Sequence, residues 1–307
     1  MGGGGGGFFG PGSNPDQLAK EIREVQEETT AMELEPMVNE LIGSLLGEYN
    51  DRDVKAVNTH LGVIRDALQK DIEGTVDVCF GGSVGKHTYV DGMSDIDTLV
   101  LLNNSELEGK SPPEVKKYFS DCLKQRLPNT AIREGKLAVT VTFKDAEIQL
   151  LPAVKAGSAF KISDAEGTSW TSVRPREFSD ALTRANARTG GRLVPVVKLA
   201  KSIISRFPED QQLSGYHVES LALKVFEGYD GRKTTKAMIQ YFLQEAPKYV
   251  RNTMPDPTGQ SAHVDEYLGS ANSPKRQAVA NSMVRTATRM GNADRAGDIE
   301  QWKEILE

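Results

Sequence analysis

The residue types best suited to chemistry lie between Gly81 and Leu102, where the chain reads GGSVGKHTYVDGMSDIDTLVLL. Asp95 and Asp97 stand two positions apart at the start of an apolar run, and side chains two apart on a strand point to the same side. Two neighbouring carboxylates repel each other unless a cation joins them. The pair therefore predicts a divalent-cation site. Magnesium, which prefers carboxylate and phosphate oxygens, is the usual ion of phosphoryl transfer.

A glycine turn precedes these acids and is suited to binding phosphate. Gly81 and Gly82 close the preceding apolar segment, and Ser83 follows directly. Glycine lets the backbone N–H groups of a tight turn approach a phosphate closely, and the serine hydroxyl adds a donor. The alternative is that GGS merely ends a strand and that the aspartates are a solvated strand start, as Asp often is near turns. The succession of glycine turn, polar loop and paired acids favours the phosphate site.

Strands must hold this turn and these acids, and the sequence predicts them. Alternating β-branched and apolar residues predict strands at 75–80 and 95–102, the second anchored by its apolar end. Two further strands are predicted at 136–143 and 147–151. A helix is expected at 112–123, because proline suits its first turn and its apolar residues share one face.

Helical patterns precede and follow this region. Amphipathic patterns over 16–49 and 54–68 predict two helices that brace the catalytic lobe. The segment 153–176 is rich in Gly, Ser and Pro, and the boundary between two lobes is expected there. Beyond it, apolar runs predict helices at 193–204, 219–226 and 236–243.

Three parts follow from these patterns. Residues 1–15 contain six consecutive glycines and are expected to form a disordered tail, since glycine loses much backbone entropy on ordering. Docking of this tail through Phe8 and Phe9 is the alternative. Residues 16–155 are expected to form the catalytic lobe with its bracing helices, and residues 156–307 a helical lobe.

Composition limits the class of protein. The 307 residues suffice for two lobes, and no apolar run reaches the roughly 18 to 20 residues that cross a bilayer. A net charge of −6 argues against a protein that coats nucleic acid by neutralising phosphates. Cys79 and Cys122 are too few for a disulfide framework or a zinc site. We therefore expect a cytoplasmic protein with small-molecule partners, no membrane contact and no nucleic acid partner.

The motifs together resemble the DncV- and cGAS-like nucleotidyltransferases, relatives of oligoadenylate synthetase and more distantly of DNA polymerase beta, whose signature is a GS turn followed by D-x-D. The resemblance extends over most of the chain. It includes the segments EIQLLPA, VVKLAKSI, LSGYHVESLA and DPTGQSAHVDEYLG. It implies an α/β (α+β) fold, in which a polymerase-beta-like mixed sheet lobe packs against a helical C-terminal lobe of the oligoadenylate-synthetase type.

The resemblance also implies a reaction. Such enzymes join ATP, GTP or other nucleoside triphosphates into cyclic di- or oligonucleotide second messengers and release pyrophosphate, and the bacterial members generally act in anti-phage signalling (CBASS). Two Mg²⁺ ions, with Mn²⁺ as the alternative, would be held by Asp95 and Asp97. Control by a bound small molecule or by a regulatory protein partner stays open, as do base choice, ring size and linkage.

One feature of the family is altered here. Its members usually carry a third acid on the neighbouring strand, and the position that aligns with it is Gln149, which supplies no negative charge. Glu147 lies two residues earlier on the same strand face. We predict Glu147 as the third catalytic and metal-binding acid, with an exposed strand-entry acid as the alternative.

The resemblance further implies residues that bind the nucleotide. Gly82 and Ser83 belong to the phosphate turn, while Lys201, and less strongly Lys198, are expected to bind the triphosphate. The alternative is that both lysines extend from an apolar helix to solvent. Two further contacts are expected from the SGYHVE segment. Its Tyr216 matches the base-stacking aromatic, and Ser214 offers a phosphate contact, because Gly215 stands where the family often has serine. The histidines lack metal-ligand spacing and are expected to be structural.

Two other functions compete with the synthase. The GS and D-x-D elements also occur in transferases that add a nucleotide to RNA or to a protein, but the chain has no basic tract for RNA. Alternatively, the fold is a catalytically dead nucleotide-binding sensor and Gln149 records lost activity. The intact pair of Asp95 and Asp97 argues for the enzyme.

Overall fold

The computed structural model of the chain describes residues 15–49, 54–70, 72, 75–80, 86, 88, 90, 96–103, 107, 109–156, 159–164, 166–173, 175–257 and 264–307. The glycine-rich tail lies outside these residues except for Pro15, which begins the first helix. Gly82, Ser83 and Asp95 also lie outside them.

Helices and strands account for most of the described residues. The helices are α1 (Pro15–Glu48), α2 (Val54–Gln69), α3 (Pro112–Arg126), α4 (Pro175–Arg188), α5 (Leu193–Ser205), α6 (Gly215–Val225), α7 (Thr235–Val250), α8 (Pro274–Ala296) and α9 (Ile299–Leu306). The strands are β1 (Thr75–Phe80), β2 (Ile96–Asn103), β3 (Ala131–Glu134), β4 (Val139–Thr142), β5 (Glu147–Ala156), β6 (Ala159–Ser163) and β7 (Trp170–Val173). Every strand and helix predicted from a regular pattern is confirmed, with ends that shift by a few residues.

The strands form one mixed sheet in the order β1-β2-β5-β4-β3, with β6 beside β5 and β7 beside β6. Strands β2 and β5 run parallel, and the other pairs are antiparallel. This topology places the strand that carries Asp97 directly beside β5, which carries Glu147 and Gln149.

Strand β5 contains a proline, although proline cannot donate to a sheet ladder. Residues 147–150 pair with β4 and residues 153–156 pair with β6. Pro152 lies between these two stretches, and on the other edge of β5 it is the register partner of Val100 on β2. The proline therefore lies close to the point at which one edge of β5 passes from β4 to β6.

The segment 153–176, where the composition places the boundary between the lobes, forms regular structure. It completes β5 and forms β6 and β7, which pair as a hairpin around a turn at Gly167. Gly167 has a φ of 77°, a left-handed conformation that glycine adopts without strain. The sheet thus continues to Val173, so the boundary expected after residue 155 falls inside it.

Helix α1 also departs from the expected lobe. Its carboxyl half buries Leu34, Val38, Ile42 and Leu45 in the core formed by the C-terminal helices. Of the two expected bracing helices, α2 is the one whose apolar residues, Ile64 among them, belong to the core under the sheet. The apolar repeat of α1 gave the helix correctly, but the repeat carries no information about which lobe covers it.

Two cores result from this arrangement. The first lies under one face of the sheet, where α2 and α3 cover Val100, Ile148 and Leu150. Because strand residues alternate between faces, Gln149 and Glu147 belong to the opposite face. The second core lies among the C-terminal helices and encloses Trp302, which is fully buried. None of the described helices is long and apolar enough to cross a membrane.

Candidate functional site

Two of the predicted metal-binding acids, Asp97 and Glu147, lie on strands of the sheet. Asp97 occupies the second position of β2, and the parallel register places it directly opposite Gln149 on β5. Its neighbour Thr98 is fully buried, which fixes this part of β2 in the sheet core. Gln149 therefore lies on the strand next to the D-x-D strand, at the level of Asp97. Asp95, the other half of the pair, lies outside the described residues.

Glu147 is turned away from this position. Its carboxylate accepts a hydrogen bond from Thr142 Oγ1 at 3.2 Å and lies 3.3 Å from Nη2 of Arg133. Thr142 is on β4 and Arg133 on β3, on the side of β5 opposite to β2. The Glu147 side chain is 35% exposed. To act as the third metal ligand, Glu147 would have to leave both Thr142 and Arg133. The structure therefore does not bring the Glu147 carboxylate to the Asp97 position.

The donors beside each other on β2 and β5 still fit a divalent ion. A carboxylate and an amide both offer hard oxygen atoms, and magnesium usually completes its shell with phosphate oxygens and water. Within the described part of the chain, no group of three or more His, Cys, Asp and Glu side chains could hold a metal ion.

Lys201, expected to bind triphosphate, lies on α5 inside a buried polar cluster. Its Nζ donates to Glu219 Oε1 at 2.7 Å, to the Thr88 carbonyl at 3.0 Å and to Thr88 Oγ1 at 3.3 Å. A Cβ on Gly215 would lie 3.4 Å from this same Nζ, so the glycine backbone closes a further side of the ammonium group. All three N–H groups of Lys201 therefore have acceptors within the protein.

Glu219 is the centre of that cluster. It lies on α6 with its side chain 1% exposed, and its Oε2 accepts from Lys86 while its Oε1 accepts from Lys201 and Thr88. Burial by itself would raise the pKa of the Glu219 carboxyl, but the charges of Lys86 and Lys201 more than offset burial and leave the pKa below its usual value. Glu219 is thus ionised at neutral pH. It connects the segment after β1 to the helical lobe.

Lys86 projects from that same segment toward two aromatic rings. Its Nζ is 4.9 Å from the centre of the Phe178 ring and 5.2 Å from that of Tyr216. The two rings are in contact with each other, at 4.6 Å between centres. Tyr216 Oη donates to Asp256 at 3.1 Å. The predicted base-stacking tyrosine therefore has a fixed ring with a cation beside it.

The amino end of α6 uses its polar groups locally. Ser214 is the N-cap, and its hydroxyl accepts from the backbone N–H of His217 at 3.2 Å. The backbone N–H of Ser214 donates to Tyr267 Oη at 3.1 Å, and His217 Nδ1 lies 2.8 Å from the same hydroxyl. Burial lowers the pKa of His217 to about 4, so this histidine is neutral at physiological pH and supports the helix end rather than exchanging protons.

Lys198 is as buried as Lys201, at 7% exposure. Burial first, and then the like charge of Lys201, lower the pKa of Lys198. Neither lysine extends to solvent, so that alternative is wrong. A lysine that binds a phosphate from solution needs an accessible ammonium group, whereas the Lys198 side chain is buried.

Sequence reasoning missed Glu219 and Phe178. A charge inside the apolar helical segment HVESLA was the available signal for Glu219, because such a charge is seldom buried without a partner. Phe178 had no comparable signal. Its role depends on its contact with Lys86, which lies 92 positions earlier in the chain.

Comparison with known proteins identifies similar families and folds. The family model of the Second Messenger Oligonucleotide or Dinucleotide Synthetase domain (SMODS) matches residues 32–186. No curated protein sequence matches the chain.

Solved structures share the fold over most of the chain. CdnC of Escherichia coli MS115-1 with ATP is 14% identical, with a TM-score of 0.63 over 82% of this chain and 90% of that one. CdnC in its complex with HORMA-deltaN is 15% identical, with a TM-score of 0.63 over 83% and 92%. The Vibrio cholerae DncV cyclic AMP-GMP synthase, with the linear intermediate 5' pppA(3',5')pG, is 9% identical, with a TM-score of 0.62 over 96% and 90%. The expected fold, a mixed sheet lobe with a helical lobe, is confirmed.

Proposed function

The chain belongs to the Second Messenger Oligonucleotide or Dinucleotide Synthetase family and is a nucleotidyltransferase, and on this premise we propose that it joins nucleoside triphosphates into a cyclic di- or oligonucleotide with release of pyrophosphate. The observation that carries this proposal is the family match over residues 32–186, which contains Asp97 at its register position beside Gln149. Magnesium is the expected cofactor, with manganese as the alternative.

The substrates are proposed from the chemistry of the site and from the similar structures. CdnC was solved with ATP, and DncV with a linear intermediate made from A and G nucleotides. We therefore expect ATP, with GTP or another triphosphate as the second substrate. Lys86, Tyr216 and Phe178 offer a cation and aromatic rings, which suit the phosphates and a base.

The residues of the chain would work by holding the reactants in place. Asp95 and Asp97 would hold the divalent ions, which supply charge neutralisation at the α-phosphate and acidify the attacking ribose hydroxyl. The hydroxyl oxygen would form a bond to the α-phosphorus and pass its proton to water, while the bond between the α-phosphorus and the bridging oxygen breaks and pyrophosphate leaves. A second transfer within the linear product closes the ring. Gln149, opposite Asp97, would orient the hydroxyl or its ion through the amide.

A regulatory protein is a proposed partner. CdnC forms a complex with HORMA-deltaN, which makes control by a bound protein a reasonable expectation for this fold. A role in anti-phage signalling is proposed on the family alone.

The test is to incubate the purified chain with the four ribonucleoside triphosphates and Mg²⁺ and to analyse phosphatase-resistant products by mass spectrometry. We expect a cyclic di- or trinucleotide mass. Asp97→Asn should reduce its formation by about 10³-fold or more, as expected when an electrostatic catalytic group is lost. Asp121→Asn is the matched control, because Asp121 is an exposed acid on α3 that pairs only with its helix neighbour Lys117. Equal rates for Asp97→Asn and the wild type would contradict the assignment of Asp97.

A nucleotide-binding sensor is the second candidate, and one observation favours it. The position beside Asp97 holds the neutral Gln149, and the nearby acid Glu147 is engaged with Arg133 and Thr142. Retained nucleotide binding without pyrophosphate release, with Mg²⁺ or Mn²⁺ and in the presence of any activating partner, would identify the sensor.

A further inference from the structure

A cleft lies in the helical lobe, away from the residues of the candidate site. It is bordered by the turn at 229–232, by α7 and by the carboxyl half of α8, and it encloses about 520 Å³. Sites for small molecules commonly have volumes of about 300 to 1,000 Å³. The cleft is therefore large enough to hold a small molecule.

The cleft and the predicted base-stacking residue lie at opposite ends of α6. Tyr216 is near the amino end of this helix. Phe226 follows its last residue, and the Phe226 ring contacts the Tyr229 and Tyr241 rings that line the cleft. The ten positions from Tyr216 to Phe226 correspond to a helical rise of about 15 Å. A molecule in the cleft is thus separate from a base at Tyr216.

The walls of the cleft combine aromatic rings with bare helix backbone. The centres of the Tyr229 and Tyr241 rings are 4.8 Å apart, and Tyr229 Oη donates to the Arg232 carbonyl at 2.8 Å, which fixes its ring. Gly291 of α8 also borders the cleft, and a Cβ there would have Arg295 Nη1 as its described neighbour, at 3.8 Å. The space beside the tyrosine rings is therefore open to a flat ring, which aromatic side chains bind by stacking.

Polar groups around the cleft are available to a ligand. Within the part of the chain that the structure describes, the Tyr241 hydroxyl, the Gln244 amide and the Asp230 carboxylate have no hydrogen-bond partner. Asp294 differs, because it pairs with Lys236 at 2.7 Å. An amide and a carboxylate match the N–H groups and acceptors on the edge of a nucleobase, whereas a hydrocarbon ring would leave them unused.

A positive charge lies at the same cleft. Arg295 is exposed and its Nη2 donates to the side chain of Asn292, but no acid among the described residues pairs with it. Arg232, the other arginine of the cleft, pairs with Glu35 at 2.9 Å. A guanidinium group presents N–H donors in a plane that fits two oxygens of a phosphate. Arg295 is therefore the better phosphate ligand of the two.

We propose that this cleft is a second nucleotide-binding site, in which a base lies against Tyr229 and Tyr241 and a phosphate pairs with Arg295. The nucleotide is a ligand there rather than a substrate, because the cleft is separate from Asp97 on the sheet. Two sources share this chemistry. One is a free nucleoside triphosphate, and the other is a cyclic oligonucleotide, which as a source rests on the proposed function.

Photo-cross-linking of the full chain locates the ligand. The probes are the 8-azido derivatives of ATP, GTP and cyclic AMP-GMP, used without divalent ions so that none is consumed. Peptide mapping by mass spectrometry should find label within residues 229–244 or 291–295, with at least one probe. The probe that labels there identifies the source of the nucleotide.

Gly291→Leu blocks the cleft without removing a contact. Leucine has a higher helix propensity than glycine, so α8 should stay folded while the side chain fills the cleft. We expect labelling of the cleft peptides to fall by at least about tenfold. Gly43→Leu is the matched control, because Gly43 is a glycine of α1 whose Cβ position is also open, and labelling should stay within about twofold of the wild type.

Arg295→Gln tests the phosphate contact. The probe concentration that gives half-maximal labelling should rise by about tenfold, as expected when one charge-assisted hydrogen bond is lost. Arg289→Gln removes an exposed charge from the same helix, one that pairs with Glu304, and should change this concentration by less than about twofold. Thermal unfolding of each variant shows whether the fold is kept. If Gly291→Leu unfolds, the comparison of Arg295→Gln with Arg289→Gln decides.

The outcomes separate this site from the proposed function. Label in the cleft of a chain that makes no cyclic product supports the second site and contradicts the synthase. A cyclic product without label in the cleft supports the synthase and overturns the second site. Equal labelling of Gly291→Leu and the wild type overturns it as well. So does displacement of the label by inorganic triphosphate as effectively as by unlabelled nucleotide, since the tyrosines would then bind no base.

Discussion

Two glutamates near the candidate site, one on the sheet and one on the helices, show how burial changes the use of a charge. Glu147 is 35% exposed and has Thr142 and the largely exposed Arg133 as partners. Glu219 is 1% exposed and binds two lysines and Thr88. An exposed pair exchanges partners at little cost, whereas a buried charge that loses its partner is strongly destabilising.

The comparison explains why the two predicted ligand sets behave differently. On the sheet, the register leaves neutral Gln149 beside Asp97, and Glu147 is kept away only by weak, solvated contacts. On the helices, Lys201 is fixed by a network that cannot open without cost. We conclude that the sheet side can rearrange when ions and nucleotide bind, while the helical side is organised beforehand.

The largest expected effect on stability comes from removing the charge of the buried Glu219. Glu219→Gln removes the negative charge shared by Lys86 and Lys201, so we expect the free energy of unfolding to fall by about 3 to 5 kcal/mol in chemical denaturation. Glu227→Gln, an exposed acid paired with Lys224, should change it by less than about 1 kcal/mol. A Glu219→Gln chain as stable as the wild type would show that the cluster contributes little to the fold.

Acid should weaken the helical side through His217. The pKa of this buried histidine is lowered from 6.5 to about 4, so the unfolded chain binds more protons between these values. The unfolding free energy should therefore fall as the pH drops from about 6.5 to about 4, with a contribution from His217 of about 3 kcal/mol. Above pH 6.5, His217 is neutral in both the folded and the unfolded chain, so its titration takes nothing from the free energy of unfolding there. His217→Asn should lack this part of the slope, and an identical pH dependence in the two proteins would contradict the neutral, buried state.

A carboxylate at position 149 should raise the ion affinity of the candidate site on the sheet. Gln149→Asp places a carboxylate opposite Asp97, and we expect about tenfold tighter Mg²⁺ binding, because ligand charge tunes the affinity of such sites. The ion affinity would be measured in two ways. One is product formation as a function of Mg²⁺ concentration, and the other is Mn²⁺ binding followed by electron paramagnetic resonance. Gln149→Asn keeps the neutral amide and is the control. Unchanged ion affinity in Gln149→Asp would place the ion away from β5.

The smallest effect is expected for Glu147. Because its carboxylate lies toward β3 and is solvated, Glu147→Gln should change turnover by less than about twofold and the unfolding free energy by less than about 1 kcal/mol. A tenfold or larger loss of turnover at unchanged stability would show that Glu147 leaves Arg133 and joins the ions during the reaction, as the sequence alone led us to expect.

Local patterns determined the elements and much of the candidate chemistry. Alternation predicted β1, β2 and β5, the three- and four-residue repeat predicted α1 and α5, and the order of the GS turn and D-x-D led to the family. These signals depend on residues close in sequence, so the chain alone carries them.

Tertiary structure alone decided which partners the charged residues have. The β4 register turned Glu147 toward Arg133, and the approach of Thr88 to α5 and α6 enclosed Lys201. The C-terminal helices also cover the apolar residues of α1. Residues 159–162, in the segment where the lobe boundary was expected, pair with β5 as a strand. Each of these results depends on which distant surface covers a side chain, and neither residue type nor periodicity records that surface.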